Sequence, residues 1–204
     1  KVYLKTLSGL QRVDVILRRL DDEYCDPLEL RNDSQLGVAG LVQAAAAGEV
    51  TIANALGSGV IETPAFMPFF RSLCRKITGE EALLPSVATW WCGHQQARTY
   101  VLEHLHELVI KSAFDGPHKT PPIFGQSLTK PQIDELKAKI LANPHHYIGQ
   151  ESVTLSTVPT WQGDCLVPRH LLLRVYVAAT EDGYTVMPGG LSRISSAQDS
   201  KIIS

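Results

Sequence analysis

Lys111 closes the run Leu108-Val109-Ile110, whose aliphatic and β-branched residues read as a strand buried on both faces. An ammonium placed there must reach an edge or meet an anion, because an unpaired buried charge is strongly disfavoured. Farther along, Tyr147-Ile148-Gly149-Gln150-Glu151 reads as a short strand with a polar end. Leu171-Leu172-Leu173-Arg174-Val175-Tyr176-Val177 reads as an apolar strand carrying one arginine. A lysine supplies a point charge to phosphate oxygens and an arginine a planar fork. An extended segment after Gly149 offers backbone donors and acceptors to a heterocycle, and the glycine allows close approach. In this order the three features suit a nucleotide held between two sheets. On spacing alone, Lys111 and Arg174 equally suit strand-edge cations bridging carboxylates such as Glu107 or Glu151.

The elements that must position these groups emerge from pattern. Val13–Arg18 reads as a strand ending in two arginines, followed by the acidic cluster Asp21-Asp22-Glu23. Leu36–Ala47 is helical in composition, with Gly48 as the residue just past its end. Val50–Ala53 is a short strand leading to Asn54 and the turn Gly57-Ser58-Gly59. Thr63-Pro64 suits a helix start, with Pro68 placed to kink that helix. This β-α-β-α order implies parallel strands. After Gly79, Ala97, Val101, Leu105 and Leu108 share one helical face and lead into the Lys111 strand. A loop from Ser112 to Gly125, holding Gly116, Pro117, Pro121 and Pro122, is long enough for a flap. Thr129 and Gln132 form a capping box for a helix turning Ile133, Leu136, Ile140 and Leu141 inward, and Asn143-Pro144 stops it. Thereafter strands dominate, with Asp182-Gly183 marking a hairpin.

Other groups carry less chemistry. His104 and His106, two apart on a helix, point apart and cannot share a metal. His145-His146 reads as a solvated turn and Trp90-Trp91 as a packing anchor. Gly57-Ser58-Gly59 lacks the following Gly-Lys-Ser/Thr of a P-loop; it reads as a plain turn or as a nest for a substrate anion. No nucleophile–base constellation is present.

The chain has 204 residues, 44% apolar and 20% charged, with net charge −2, an ordinary globular composition without the basic footprint of a nucleic-acid binder. No apolar stretch is long enough to span a bilayer. Cys25, Cys74, Cys92 and Cys165 are scattered without a C-x-x-C pair, as expected of reduced thiols in a cytoplasmic protein. Both ends read as cut, so a piece of a longer protein is expected.

The stretches VDVILRRLDDEYCDPLEL, VTIANALGSGVIETPAFMPF, LPSVATWWCG, ELVIKSAF, YIGQESVTLST, LLLRVYVAAT and YTVMPGGLSRI resemble, in collinear order, the circularly permuted ATP-grasp proteins of type 2. That group is related to glutathionylspermidine synthase and other carboxylate–amine ligases. The resemblance implies an α+β fold: an ATP-grasp core of two α+β subdomains preceded by part of an α/β lobe. The divisions expected are a partial substrate-side lobe over residues 1–62, a small ATP-grasp subdomain over 63–148 and the start of the large one over 149–204. By the same resemblance Lys111 touches the α- and β-phosphates of ATP. Gln150 and Glu151 meet adenine and ribose at the hinge, and Arg174 and Arg193 face the phosphates and the reactive end. Arg18, Asn54, Gly57, Ser58 and Gly59 belong to the substrate-side lobe.

The implied cofactors are ATP and Mg²⁺, and the implied partners are a small carboxylate and an amine or thiol, peptide-like substrates included. Ser112 stands where many relatives carry proline, and no metal motif matches; the Mg²⁺ ligands are expected on strands outside these residues. The reading is an ATP-dependent ligase segment that activates a carboxylate as an acyl phosphate. A non-catalytic scaffold or partner-binding module, and a nucleotide sensor, are the competing classes.

Overall fold

In the computed structural model, which describes residues 1–114 and 120–195, the chain divides into two units, Lys1–Glu151 and Ser152 onward. The expected flap around Gly116 and Pro117 lies outside the described residues.

The first unit opens with a hairpin, β1 (Val2–Thr6) and β2 (Gly9–Val13), which pair from Val2↔Val13 to Thr6↔Gly9. β3 (Val15–Leu17) follows, and after α1 (Leu41–Ala46) the chain returns as β4 (Thr51–Ala53), parallel to β3. The parallel β-α-β expectation holds for this pair. The helix is shorter than its composition suggests, because Gly40 at its N-cap is left-handed (φ 81°); Gly48 beyond its end is left-handed too, as expected. Cys25, Leu41 and Val50 form the buried centre of this part.

Asp26, fully buried, fixes the start of α1. Its carboxylate accepts from the N–H groups of Leu28 (2.9 Å), Gly40 (3.1 Å) and Val42 (2.9 Å). Burial alone would push its pKa up, but the N–H groups of Val42, Leu28, Gly40 and Glu29 outweigh that and hold it below the usual carboxylate value.

A 3₁₀ segment from Pro64 to Phe69 leads into α2 (Phe70–Thr78), so Pro68 lies within the 3₁₀ stretch rather than kinking an α-helix. β5 (Thr89–Trp91), α3 (Gln95–Glu103), β6 (Leu108–Ser112), β7 (Ile123–Phe124), α4 (Lys130–Ala142) and β8 (Tyr147–Glu151) then build an antiparallel sheet in the order β5-β8-β6-β7. α4 carries the expected capping box between Thr129 and Gln132. Leu136 and Ile140 turn inward as expected, but Leu141 is exposed, one step round the helix from its buried neighbour.

Cross-strand register assigns the two faces of this sheet. Leu108, Ile110, Trp90, Tyr147 and Ile123 share one face and pack with Val101, Leu105, Leu136 and Ile140 into the main core. Val109, Lys111, Ile148, Gln150, Thr89 and Trp91 share the other. Ile148 and Trp91 there meet Ala65 of the 3₁₀ segment, and Phe69 meets Trp91 edge-on at 6.4 Å. The adjacent tryptophans thus anchor opposite faces.

The second unit holds β9 (Thr157–Gln162), β10 (Cys165–Thr180) and β11 (Gly183–Ile194), antiparallel in the order β11-β10-β9. The hairpin turns where Asp182-Gly183 marks it, with Gly183 at φ 127°, but its strands run longer than their apolar cores.

Among the described residues no helix is long and apolar enough to cross a membrane.

Two measurements test this packing. At Gly149 an added Cβ would lie 2.7 Å from Val101 Cγ2, whereas at Gly125 it would lie 1.8 Å from the Leu105 carbonyl oxygen. Gly149→Ala should cost about 1–3 kcal/mol by overpacking, and Gly125→Ala more, because backbone cannot yield; urea denaturation measures both. Asp26, whose folded pKa lies below the unfolded value of about 3.9, stabilises fully above that value. The contribution disappears as pH falls through the depressed folded value. Asp26→Asn should lower stability at neutral pH and flatten the acid limb of a pH–stability curve.

Candidate functional site

Lys111 follows the buried Val109 by two positions along β6 and leaves the same face of the sheet. Its Nζ donates to Gln150 Oε1 at 2.6 Å; Gln150 Nε2 donates to Thr89 Oγ1 at 3.0 Å, and Thr89 Oγ1 donates to the Val87 carbonyl at 2.9 Å. This chain crosses β6, β8 and β5 and fixes the orientation of the Gln150 amide. The ammonium is half-buried, and burial holds its pKa below the usual lysine value. It forms no ion pair with a described carboxylate. Glu107 pairs instead with His106 (3.1 Å), and Glu151 alternates to the opposite face. The strand-edge bridge to Glu107 or Glu151 is therefore not what the structure contains. Gln150 is the ammonium's hydrogen-bond partner among the described residues, which leaves two of the three lysine donors for an anion.

Gln150 and Glu151 do not act as a pair. Their side chains leave opposite faces of β8, and the Glu151 N–H donates to the Ala88 carbonyl at 2.9 Å. The uncommitted backbone donor expected at this position is used by the sheet. An interior strand spends its backbone on its neighbours. The structure brings Lys111 to Gln150, and adds Thr89, which no sequence pattern indicated.

The second cluster gathers Arg18, Asn54, Gly57, Ser58 and Gly59, all of which the resemblance implied, around Asp22. β3 and β4 run parallel, so the residues leaving their ends converge. Arg18 Nε donates to the Asn54 carbonyl (2.7 Å), Nη2 to the Ala55 carbonyl (3.3 Å) and Ser58 Oγ (3.1 Å), and Nη1 to the Leu20 carbonyl. Nη1 also lies 2.7 Å from Asp22 Oδ1. Asp22 Oδ2 accepts from the N–H groups of Gly57 (3.0 Å) and Gly59 (3.3 Å). Asn54 takes up φ 62°, uncommon for a residue with a side chain, and its Nδ2 donates back to the Arg18 carbonyl at 3.3 Å.

The glycine turn is an anion nest, but the protein's own Asp22 fills it, and Arg18 is spent on backbone and Asp22. Together these groups form a built-in clamp. A cleft of about 380 Å³ opens beside it, lined in part by Arg19, Asp21, Asn54, Ser58, Ile61 and Glu62.

In the second unit, Arg174 pairs with Leu191 and Leu172 with Arg193. The two arginines are therefore diagonal neighbours on one face of the hairpin, at a typical spacing of about 7–8 Å. Neither has an ion-pair partner among the described residues, so together they present two forks to an anion. Among the described residues no three His, Cys, Asp or Glu side chains converge as a metal site.

The family model for circularly permuted ATP-grasp type 2 matches residues 1–195. The chain belongs to the circularly permuted ATP-grasp family, type 2. Similar proteins include an uncharacterised protein of Synechocystis sp., 39% identical over 202 residues, covering 99% of this chain and 42% of that protein. Uncharacterised proteins of Mycobacterium leprae (37% identical, covering 100% of this chain and 36% of that protein) and Mycobacterium tuberculosis (37%, covering 95% and 22%) are also similar. The chain thus spans less than half the length of these relatives. Its mixed α+β architecture is consistent with an ATP-grasp domain, a family whose members are usually ATP-dependent ligases.

The clamp yields a measurable coupling. Asp22→Ala or Arg18→Met should each destabilise the protein by about 1–3 kcal/mol, since each leaves a part-buried partner unsatisfied. The double variant should cost clearly less than the sum, with an interaction energy of about 0.5–3 kcal/mol in a denaturation cycle.

Proposed function

We propose that the chain is the ATP-binding and substrate-facing segment of a carboxylate–amine or carboxylate–thiol ligase related to glutathionylspermidine synthase, with residues 1–62 as its substrate-side lobe, 63–148 as the small ATP-grasp subdomain and 149–204 as the start of the large one. The observation that carries this reading is the Lys111 ammonium: half-buried, without a counter-charge among the described residues, held by the neutral Gln150 amide at 2.6 Å. A phosphate oxygen is the partner such a cation lacks, so the residues present fit the triphosphate.

When bound, ATP supplies the phosphoryl group that converts a carboxylate into an acyl phosphate open to an amine or thiol. Lys111 neutralises phosphate charge, and Gln150, fixed by Thr89, sets where the ammonium sits. Arg174 and Arg193 offer bidentate contacts to phosphate oxygens. Glu151, exposed at the strand end, is assigned to the ribose. The described residues offer no convergent carboxylates for the Mg²⁺ that the family uses, so its ligands are assigned to other parts of the protein and no step is routed through it.

One observation favours the scaffold reading instead. Arg18 and the glycine nest are satisfied internally, as architecture would require. The two readings separate on nucleotide binding and turnover.

ATP with Mg²⁺ at a hundred times its Kd should stabilise the full-length protein by about 2.7 kcal/mol. Lys111→Ala should remove most of the resulting Tm shift. Equal shifts in variant and parent would overturn the lysine assignment, no shift in either would favour the scaffold, and binding without ADP release would select a sensor. The depressed Lys111 pKa adds a pH dependence. Burial favours the neutral amine, so the ammonium loses its proton at a lower pH than an ordinary lysine. ATP affinity should therefore fall on the alkaline side at a lower pH than in Lys111→Arg, as calorimetric titrations across pH would read.

A further inference from the structure

The clamp around Arg18 leaves a specific problem for substrate recognition. A ligand anion cannot use Arg18, whose guanidinium already serves Asn54, Ala55, Leu20, Ser58 and Asp22. Nor can it use the nest, whose N–H groups at Gly57 and Gly59 are held by Asp22. The next residue, Arg19, is exposed and has neither ion pair nor side-chain hydrogen bond among the described residues. It lines the cleft of about 380 Å³, a volume within the range of about 300–1,000 Å³ usual for small-molecule sites.

The same cleft is lined by Asp21 and Glu62, whose carboxylates likewise have no hydrogen-bond or ion-pair partner among the described residues. Asp21 is placed by its backbone, its carbonyl accepting from Tyr24 N at 3.1 Å, and Glu62 ends the 3₁₀ turn Ser58–Glu62. Arg18 also lines the cleft, but its charge is paired with Asp22 at 2.7 Å, so the unpaired charges lining it are one guanidinium and two carboxylates. These opposite charges share the cleft without bridging one another. A phosphate or dicarboxylate would meet repulsion from Asp21 and Glu62, and a simple cation would leave Arg19 without an anion. A ligand carrying both signs satisfies the set. Leu20 and Ile61 add a small apolar surface.

We propose that the cleft beside Arg19 binds a zwitterion, an amino acid or short peptide, with its carboxylate on Arg19 and its ammonium on Asp21 and Glu62. This names a substrate class for the ligase reading and rests on that reading for its role, although binding itself needs no ATP.

The test is calorimetric titration of the full-length protein with L-alanine, L-glutamate, L-lysine and L-alanyl-L-alanine. The tightest probe is then compared with its N-acetyl and carboxamide derivatives. The zwitterion should bind at least tenfold more tightly than either blocked form. Arg19→Gln should erase the preference for acid over amide, and the Asp21→Asn, Glu62→Gln pair the preference for free over acetylated amine. Tighter binding of the dipeptide than of any amino acid identifies a peptide as the source. Equal binding of free and blocked probes, or no binding of any probe by a protein that still shows the ATP-induced Tm shift, overturns the proposal and leaves the ligase reading standing. Retained charge discrimination without an ATP-induced shift supports the cleft and overturns the ligase reading.

Discussion

A half-buried ammonium with no counter-charge among the described residues is the condition around which one face of the first unit's larger sheet is arranged. Lys111 lies near the end of a strand whose preceding residues are buried, and its tip meets an amide at 2.6 Å and no carboxylate among the described residues. That amide is itself anchored by Thr89 at 3.0 Å, across the neighbouring strand. Burying a lysine this way weakens its hold on its proton and leaves it short of negative charge. An arrangement of this kind gains most when an anion arrives. The opposite sheet face, by contrast, packs against α3 and α4 to form the main core.

The Arg18 cluster shows the contrary solution to the same problem. There the cation is given everything it can use: carbonyls at the ends of two parallel strands, a hydroxyl and a carboxylate. Its Asp22 partner also occupies the glycine nest, so a single ion pair ties the exit of β3 to the turn after β4. Such a part-buried pair, hydrogen-bonded through Arg18 and Asp22 Oδ2, ties down one loop conformation, including the left-handed Asn54. Recognition then falls to the neighbours that the clamp holds in place. Adjacent arginines in the sequence thus take different work, Arg18 inward and Arg19 outward.

Much of this was legible from residue order. The Lys111 strand, the parallel pair around α1, the capped helix at Thr129 and the hairpin at Asp182-Gly183 each arise from local signals strong enough to survive tertiary context. Of the first-unit residues that the resemblance named, Lys111 meets Gln150 but not Glu151, and Arg18, Asn54, Gly57, Ser58 and Gly59 gather around Asp22. Their partners were not legible. Asp26 caps α1 from fourteen residues before Gly40, and only its Asp-Pro setting hints at a turn. Thr89 lies sixty-one residues from Gln150, beyond any local pattern.

Local periodicity and turn chemistry, then, settled which segments become strands and helices, and that Lys111 must sit at the end of a buried one. Only the folded chain decided which polar groups are already spent. Register sent Gln150 toward Lys111 and Glu151 away from it, because neighbouring strand residues alternate between faces. Packing placed Asp22 in the glycine turn, which by sequence reads as a plain turn or as a nest for a substrate anion. Hydrogen-bond saturation is a property of three-dimensional neighbours, so residue type alone could name the cations but not which of them remain unengaged.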